Sequence, residues 1–282
     1  MTVVCNAYLE SQYNLRMQHP EHHKIKAESQ ERSDWVRKTL PMRHDISCGA
    51  SKNATFDLIH GKGQRYNQPV VIFIHGGFWR SGDKQDCAFI GESFYQHGVA
   101  TVLLNYSLAP ASSLAAIIKE VRISVANIVA QAPELGLDSE RIILGGHSAG
   151  GHLAAMVEST DWTQFNQLMS PVSASFGVSG LYDPRPLSQT SFQQILALPE
   201  DGDHLVAKPS KAGSQGLDLV ACGLEETQEL QSQSKRYADD INMYLNYNPM
   251  YWSKQRDHYS ILLDLADVQS DLFRRIMSLF PL

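Results

Sequence analysis

The strongest chemical signal in this 282-residue sequence is one serine in a glycine-rich turn. Residues 141–156 read RIILGGHSAGGHLAAM, with Ser148 between Gly146 and Gly150. The apolar run before the serine predicts a buried strand, and the residues after it favour a helix. Glycines two positions on either side let backbone pass close to backbone, so a strained turn can hold the hydroxyl at the top of a sheet. The pattern predicts a nucleophile elbow with Ser148 as the attacking group, although a glycine-rich turn with an ordinary serine has the same five-residue string.

A serine hydroxyl becomes a good nucleophile only when a base takes its proton and an acid orients that base. In folds built around such an elbow, the acid and then the histidine follow the serine along the chain. His204 and His258 are the histidines beyond the elbow helix. Because His204 precedes the predicted strand over residues 217–222 and His258 follows it, we predict His258 as the general base.

The acid is expected just beyond the carboxyl end of the predicted strand 217–222. Glu225 and Glu226 both lie there, and their spacing does not separate them. Asp218 ranks below them, because a side chain inside the strand points along the sheet. Asp257 is adjacent to His258 in the chain and is badly oriented to bond its ring.

The third requirement is an oxyanion hole, in which each backbone donor contributes about 2.7–4 kcal/mol to stabilising the transition state. Ala149 follows the nucleophile and supplies one candidate N–H. Residues 75–79, HGGFW, follow an early apolar run, and their glycines leave the backbone open to a substrate. We predict that the N–H groups of Gly77 and Phe78 are the remaining candidate donors.

The other residues of this loop are expected to support it. His75 is predicted to brace the loop rather than to titrate, since a neutral ring can donate to the backbone. Gly76 belongs to the same backbone motif, and Trp79 is predicted to pack in the core rather than to carry substrate.

The elements that must position these residues alternate between strands and helices. Apolar runs predict strands over residues 70–74, 99–104, 142–144, 172–178 and 217–222, after an antiparallel hairpin within 43–61. Helices are predicted over 86–97, 114–132, 229–247 and 265–279, with irregular structure or short helices over 183–210. Such alternation predicts an α/β-hydrolase-like fold with a mostly parallel central sheet and helices on both faces.

No internal repeat and no linker divides the sequence, so we predict one domain over residues 1–282. Residues 7–40 are polar and rich in helix-forming residues, and they predict one or two helices that lie over the core. Residues 1–42 are accordingly predicted to form an N-terminal helical segment of that single domain.

Composition excludes several function classes. A hydrophobic content of 43% and a charged content of 19% are those of a globular protein, and a net charge of −6 with scattered basic residues argues against a nucleic-acid partner. Four widely spaced cysteines without a C-x-x-C pair argue against a disulfide framework and a zinc site. The N-terminus is unlike a signal peptide, and no apolar run approaches the ~18 residues of a membrane span. These features predict a cytoplasmic enzyme with no membrane partner.

Two motifs together resemble a known family. HGGFW at residues 75–79 and GHSAGGH at 146–152 are similar to the α/β-hydrolase branch that contains kynurenine formamidase (arylformamidase) and related esterases, whose oxyanion motif reads H-G-G-x-W. Looser similarities lie at residues 13–16 (YNLR), 105–110 (NYSLAP) and 179–187 (SGLYDPRPL), so the resemblance covers most of the chain.

The resemblance favours one of the two glutamates. The family places a carboxylate at the head of a D-S-x-E-F-x-x-Q-S run, and residues 226–234, ETQELQSQS, match it with Glu226 at the acid position. Family members commonly have aspartate there, which leaves Glu225 as the alternative. His258 corresponds to the histidine of the family's D-H-F-S-like segment.

The resemblance implies a serine hydrolase without metal or organic cofactor, acting on a small-molecule substrate through an acyl-enzyme. Either an aryl formamide such as N-formylkynurenine or a short-chain carboxylic ester fits this chemistry. Phe78, Tyr182 and Tyr259 are candidates for an aromatic pocket, with plain packing as the alternative. A different class of function, a non-catalytic ligand-binding protein on the same fold, is disfavoured because such proteins usually lose a member of the triad. No oligomeric state is predicted.

Overall fold

The computed structural model describes residues 5–165, 170–209 and 217–280. Its strands are β1 (Met42–Ser47), β2 (Thr55–Ile59), β3 (Gln68–Ile74), β4 (Ala100–Leu104), β5 (Leu137–His147), β6 (Ala174–Val178), β7 (Leu219–Gly223) and β8 (Met250–Ser253). Within the described residues these eight strands form one sheet in the order β1-β2-β4-β3-β5-β6-β7-β8. β2 pairs antiparallel with β1 and β4, and every other pair is parallel. The predicted mostly parallel α/β fold and its initial hairpin are confirmed.

The register of the central strands brings their carboxyl ends to one edge of the sheet. Ile74 at the end of β3 pairs with Gly146 of β5, and the next residue, His147, pairs with Val178 at the end of β6. Val178 in turn pairs with Ala221 of β7. The loops that follow β3, β5, β6 and β7 therefore start side by side, which is where open parallel sheets form their ligand sites.

Helices cover both faces of this sheet. They are α1 (Ala7–Tyr13), α2 (Leu15–Gln18), α3 (His22–Thr39), α4 (Gly91–Gln96), α5 (Leu114–Gln131), α6 (Ala149–Glu158), α7 (Gln193–Leu196), α8 (Gln228–Leu245) and α9 (Asp271–Met277), with short 3₁₀ segments between them. None of the helices in the described ranges combines the length and the apolar character that crossing a membrane requires.

The helix α5 shows how the sequence pattern forms one of these layers. The Ser113 side chain accepts the backbone N–H of Ala116 and caps the helix, which satisfies a donor without an intrahelical partner. Residues at helical spacing from Leu114 to Ile128 are buried on the sheet side. Burying each large apolar side chain contributes about 1.5–3 kcal/mol, so this face fixes the helix on the sheet.

The N-terminal segment forms three helices, where the sequence predicted one or two. Asn14 separates α1 from α2 with non-helical dihedral angles of φ −82° and ψ 71°. The longest of them, α3, packs on the 3₁₀ segment Lys84–Ile90: the Ser33 hydroxyl donates to the Asp86 carbonyl and accepts the Phe89 N–H. Arg37 of α3 also pairs with the buried Asp57 of β2 at 2.6 Å.

Three other elements differ from the prediction. The region predicted as one helix over 265–279 is a 3₁₀ segment, Ser260–Ala266, followed by α9. The helix predicted over 86–97 begins as 3₁₀ helix at Lys84 and becomes α-helical only at Gly91. Near the C-terminus, Ser270 caps α9 by accepting the Phe273 N–H, and such local side-chain bonds compete with a continuous helix. The short edge strand β8 was not predicted.

Candidate active site

Ser148 lies in the turn that joins β5 to α6, at the carboxyl edge of the sheet. It is a buried non-glycine residue with φ 55° and ψ −119°, a conformation that persists only where the surroundings impose it. Its N–H donates to the Val178 carbonyl at 2.9 Å, and its carbonyl accepts the Leu181 N–H at 3.3 Å. A Cβ atom on Gly146 would lie 2.2 Å from the Gly150 carbonyl oxygen, so only glycine permits this turn. The geometry is that of a nucleophile elbow.

Glu226 follows β7, and its carboxylate is fixed on both oxygens. Oε1 accepts the Ser179 hydroxyl at 2.5 Å and the Gly223 N–H at 2.7 Å, while Oε2 lies 2.9 Å from Nδ1 of His258. Burial alone would raise the pKa of Glu226. The hydrogen bond from His258, the positive charge of that ring when protonated, and the hydrogen bonds from Ser179 and the Gly223 N–H together lower this pKa below 4.5. An ionised carboxylate only accepts, so the proton of the His258 ring is held on Nδ1 and Nε2 is left free to accept one.

The alternative acids are placed elsewhere. Glu225 is exposed, whereas Glu226 is buried. Asp218 precedes β7, at the opposite end of the strand, where its carboxylate accepts the Ser175 N–H at 2.8 Å. Asp257 accepts the backbone N–H groups of its own loop and pairs with His19 at 3.3 Å. Of the four candidates, the structure brings Glu226 to the ring of His258.

His258 and Ser148 line the same cavity. Both side chains are buried, and His258 lies in the turn between β8 and the 3₁₀ segment Ser260–Ala266. Within the described ranges the Ser148 hydroxyl forms no hydrogen bond, and in enzymes without substrate the bond between nucleophile and base is often long. The nucleophile, base and acid predicted from the sequence therefore meet at one edge of the sheet.

The loop after β3 lies against Ser148. A Cβ atom on Gly76 would be 3.1 Å from the Cβ atom of Ser148. Gly77 has φ +123°, and a Cβ atom there would be 1.9 Å from the Ser81 carbonyl oxygen, so the position requires glycine. The N–H groups of Gly77 and Phe78 have no backbone acceptor in the described part of the chain, and both residues line the cavity. They remain available for a substrate oxygen.

Ala149 presents its N–H from the first position of α6. The first four N–H groups of a helix have no intrahelical acceptor, and they carry a partial positive charge. An oxyanion on the carbonyl that Ser148 attacks would lie beside this helix end, so the arrangement suits a developing negative charge.

His75 supports this loop through a hydrogen bond and through ring stacking. Its Nδ1 lies 2.7 Å from the Gly76 carbonyl and donates to it, while its own carbonyl accepts the Tyr106 hydroxyl at 3.0 Å. The two rings stack with their centroids 4.4 Å apart. Burial lowers the pKa of His75 below 6.5, which favours a neutral ring in a structural role. Trp79 is fully buried and packs edge-on against His152, in the core rather than against the cavity.

The cavity has a volume of about 190 Å³ and a wall that is mostly apolar. Phe78 and Tyr259 line it, whereas the third aromatic candidate, Tyr182, stacks on Tyr237 with centroids 4.3 Å apart and belongs to the core. Residues of α2 and α3 complete the wall: Leu15, Ile25, Lys26 and Ser29. In the described ranges, no three His, Cys, Asp or Glu side chains are grouped so as to hold a metal ion.

Sequence reasoning missed two residues at this site. Ser179 donates to Oε1 of Glu226, the oxygen that does not face His258, and His147 donates to the backbone carbonyl of His258. Ser179 begins the SGLYDPRPL segment that resembles the family. That resemblance marked the segment but assigned no role to Ser179. His147 stands inside the elbow motif, where the neighbouring serine dominated the interpretation.

Comparisons with known proteins identify the family of the chain. Residues 56–183 match the BD-FAE family. The chain is 31% identical over 248 residues to kynurenine formamidase from Danio rerio, an alignment that covers 84% of this chain and 80% of that protein. The chain belongs to the kynurenine formamidase family.

A second relative in this kynurenine formamidase family, the kynurenine formamidase from Salmo salar, is 27% identical over 252 residues, covering 85% of this chain and 81% of that one. Among solved structures, a putative thioesterase from Silicibacter sp. superposes with a TM-score of 0.75 at 23% identity, covering 90% of this chain and 93% of that one. The structural similarity supports the α/β-hydrolase fold, and the family makes the chain a hydrolase.

Proposed function

We propose that this chain is a serine hydrolase in which Ser148 attacks a carbonyl carbon, His258 transfers the proton and Glu226 orients His258. The observation that carries the proposal is the 2.9 Å bond between Nδ1 of His258 and Oε2 of Glu226, formed by a buried pair whose ring shares a cavity with Ser148. This bond leaves Nε2 free to accept a proton, as a general base requires.

The reaction begins when Nε2 of His258 takes the proton of the Ser148 hydroxyl as the oxygen attacks the substrate carbonyl. The carbonyl oxygen becomes an oxyanion, which the N–H of Ala149 and those of Gly77 and Phe78 stabilise. His258 then gives its proton to the leaving amine or alcohol, and the acyl group stays on Ser148. Water activated by His258 releases the acid and restores the serine.

We propose an aryl formamide such as N-formylkynurenine as the substrate class, with a short-chain carboxylic ester as the alternative. The support is that two relatives spanning most of the chain carry the name kynurenine formamidase. An aromatic amine leaves more readily than an alkyl amine once His258 protonates it. Phe78 and Tyr259 supply aromatic surface to the cavity for such a leaving group.

The proposal includes one domain over residues 1–282, with the helical N-terminal segment predicted over residues 1–42 as part of it; residues 1–4, 166–169, 210–216 and 281–282 lie outside the described residues. Two observations support it: one sheet carries every described strand, and residues of α3 line the cavity. A ligand-binding protein without catalysis is the weaker alternative, because serine, histidine and acid are all in place.

Purified Ser148→Ala protein tests the mechanism on N-formylkynurenine and on p-nitrophenyl esters of increasing acyl length. The kcat on either substrate should fall by several powers of ten, up to about 10⁶-fold. Ser159→Ala, at the far end of α6, is the matched control and should keep its rate. Near-normal turnover by Ser148→Ala would refute the serine mechanism. Formamide turnover by the unaltered protein far below its ester turnover would assign a general esterase instead.

A further inference from the structure

His147 is the last residue of β5 and directly precedes the proposed nucleophile. Its side chain is buried, and its Nε2 lies 2.8 Å from the backbone carbonyl oxygen of His258. A carbonyl oxygen only accepts a hydrogen bond, so His147 carries a proton on Nε2 and donates it. The two imidazole rings lie with centroids 4.6 Å apart and planes inclined at 45°. His147 therefore contacts both the backbone and the ring of the proposed base.

The opposite side of the His147 ring meets the oxyanion loop. A Cβ atom on Gly76 would lie 3.1 Å from Nδ1 of His147 and 3.0 Å from its carbonyl oxygen, so the glycine backbone packs directly on this residue. One buried ring thus connects the loop after β3, the residue before Ser148 and the turn that carries His258.

The turn that carries His258 is held by hydrogen bonds within its own loop and from neighbouring residues. His258 lies between β8 and the 3₁₀ segment Ser260–Ala266, outside any strand or helix. The Asp257 carboxylate accepts the N–H groups of Tyr259 and Ser260 and so fixes the chain just beyond the base. The bond from His147 holds the carbonyl of His258 itself, and that bond comes from the element that also carries the nucleophile.

We propose that His147 is a positioning residue for the proposed base: its Nε2–H holds the His258 carbonyl and thereby sets the imidazole at the correct place relative to Ser148. The proposal rests on the serine mechanism above. It assigns His147 no proton transfer with substrate, because its effect passes through His258.

The charge state of His147 agrees with this role. Burial lowers the pKa of His147 well below 6.5, and the positive charge that His258 acquires lowers it further. The ring therefore stays neutral while His258 holds the serine proton. A second imidazolium beside it would oppose that step, because two like charges in a poorly solvated site repel strongly.

Two substitutions separate the hydrogen bond from the packing. His147→Phe keeps a ring of similar size and removes the donor, whereas His147→Gln keeps an N–H donor at the position of Nε2. His152 provides the matched control, since it is buried on α6 and its Nε2 bonds the Leu205 carbonyl at 2.7 Å, away from the base. The four proteins His147→Phe, His147→Gln, His152→Phe and His152→Gln are compared with the unaltered chain and with Ser148→Ala.

We expect His147→Phe to lower kcat by about 100-fold, the loss that a displacement of about 1 Å at a reacting group produces, with KM within about threefold. His147→Gln should recover most of kcat. His152→Phe should lower the melting temperature and keep kcat. Circular dichroism melts identify any variant that is unfolded at the assay temperature; if His147→Phe is unfolded, His147→Leu, which also removes the donor, takes its place in the same comparison.

The outcomes distinguish the two levels of the proposal. A kcat for His147→Phe within threefold of the unaltered chain overturns the positioning role, and so does a kcat for folded His147→Gln as low as that of His147→Phe. Either result with an inactive Ser148→Ala leaves the serine mechanism in place. An active Ser148→Ala overturns the mechanism and the positioning role together.

Discussion

Replacing Glu226 by glutamine should reverse the proton arrangement on His258. Oε1 of Glu226 accepts the Ser179 hydroxyl and the Gly223 N–H, so the glutamine oxygen takes that side. The glutamine NH₂ group then faces Nδ1 of His258, which must accept instead of donate. The ring proton moves to Nε2. A ring in this tautomer cannot take the serine proton.

The size of the loss follows from that change. The same reversal in the triad of a serine protease lowers kcat about 10⁴-fold, which corresponds to about 5.4 kcal/mol in the activation barrier. The two donors to Oε1 keep the glutamine side chain in place, so we expect a fall of about 10³- to 10⁴-fold in kcat with little change in KM. Steady-state rates on a p-nitrophenyl ester and on N-formylkynurenine measure it, and a melting curve checks the fold.

Glu225→Gln is the matched control, because it makes the same chemical change on the exposed neighbouring residue. Its kcat should stay within about twofold of the unaltered chain. Glu226→Asp keeps an acceptor but shortens the side chain by one methylene, and its kcat should lie between those of the unaltered chain and Glu226→Gln. Equal losses for the two glutamine variants, or a larger loss for Glu225→Gln, would show that the acid is assigned wrongly.

Two further predictions concern groups that hold the site and the fold. Ser179→Ala removes one donor to Glu226. Since a hydrogen bond to a charged group contributes about 1.5–3 kcal/mol, kcat/KM should fall about tenfold or more. An unchanged value in the ester assay would contradict the role of Ser179. Burial alone would raise the pKa of Asp57, but bonds from the Asp45 N–H, Lys84 and Arg37 lower it from 3.8 to about 2. The ionised form therefore stabilises the fold fully above about pH 4, and up to about 2 kcal/mol of that stability is lost as the pH falls towards 2. Urea unfolding at several pH values should show a smaller loss of stability over this range in Asp57→Asn, and an equal loss would refute it.

The strands of the central sheet could be predicted because their sequences leave little choice. Residues 70–74 are apolar and mostly β-branched, as a strand buried on both faces requires, and all of them are buried or nearly so. The pattern weakens towards the edge of the sheet. The β8 strand is four residues long and only partly buried, so neither its length nor its composition distinguishes it from a loop.

The residues of the site also differ in how well the sequence predicts them. Ser148 and His258 could be predicted because the turn glycines and the chain order are properties of the sequence. Chain order alone did not separate Glu226 from Glu225: the family resemblance favoured Glu226, and the fold after β7 buries its side chain and leaves Glu225 exposed. His147 could not be assigned a role, because its bond joins residues 111 positions apart in the chain.

The helices α2 and α3 supply one wall of the cavity although they lie near the opposite end of the sequence from His258. None of the groups proposed to break the bond lies on them. A protein engineer could randomise Leu15, Ile25, Lys26 and Ser29 to change which leaving groups enter, while the residues that hold and move the proton stay untouched. Part of the cavity wall and the proposed catalytic groups thus lie on separate stretches of one chain, so this part of the wall can be changed without replacing those groups.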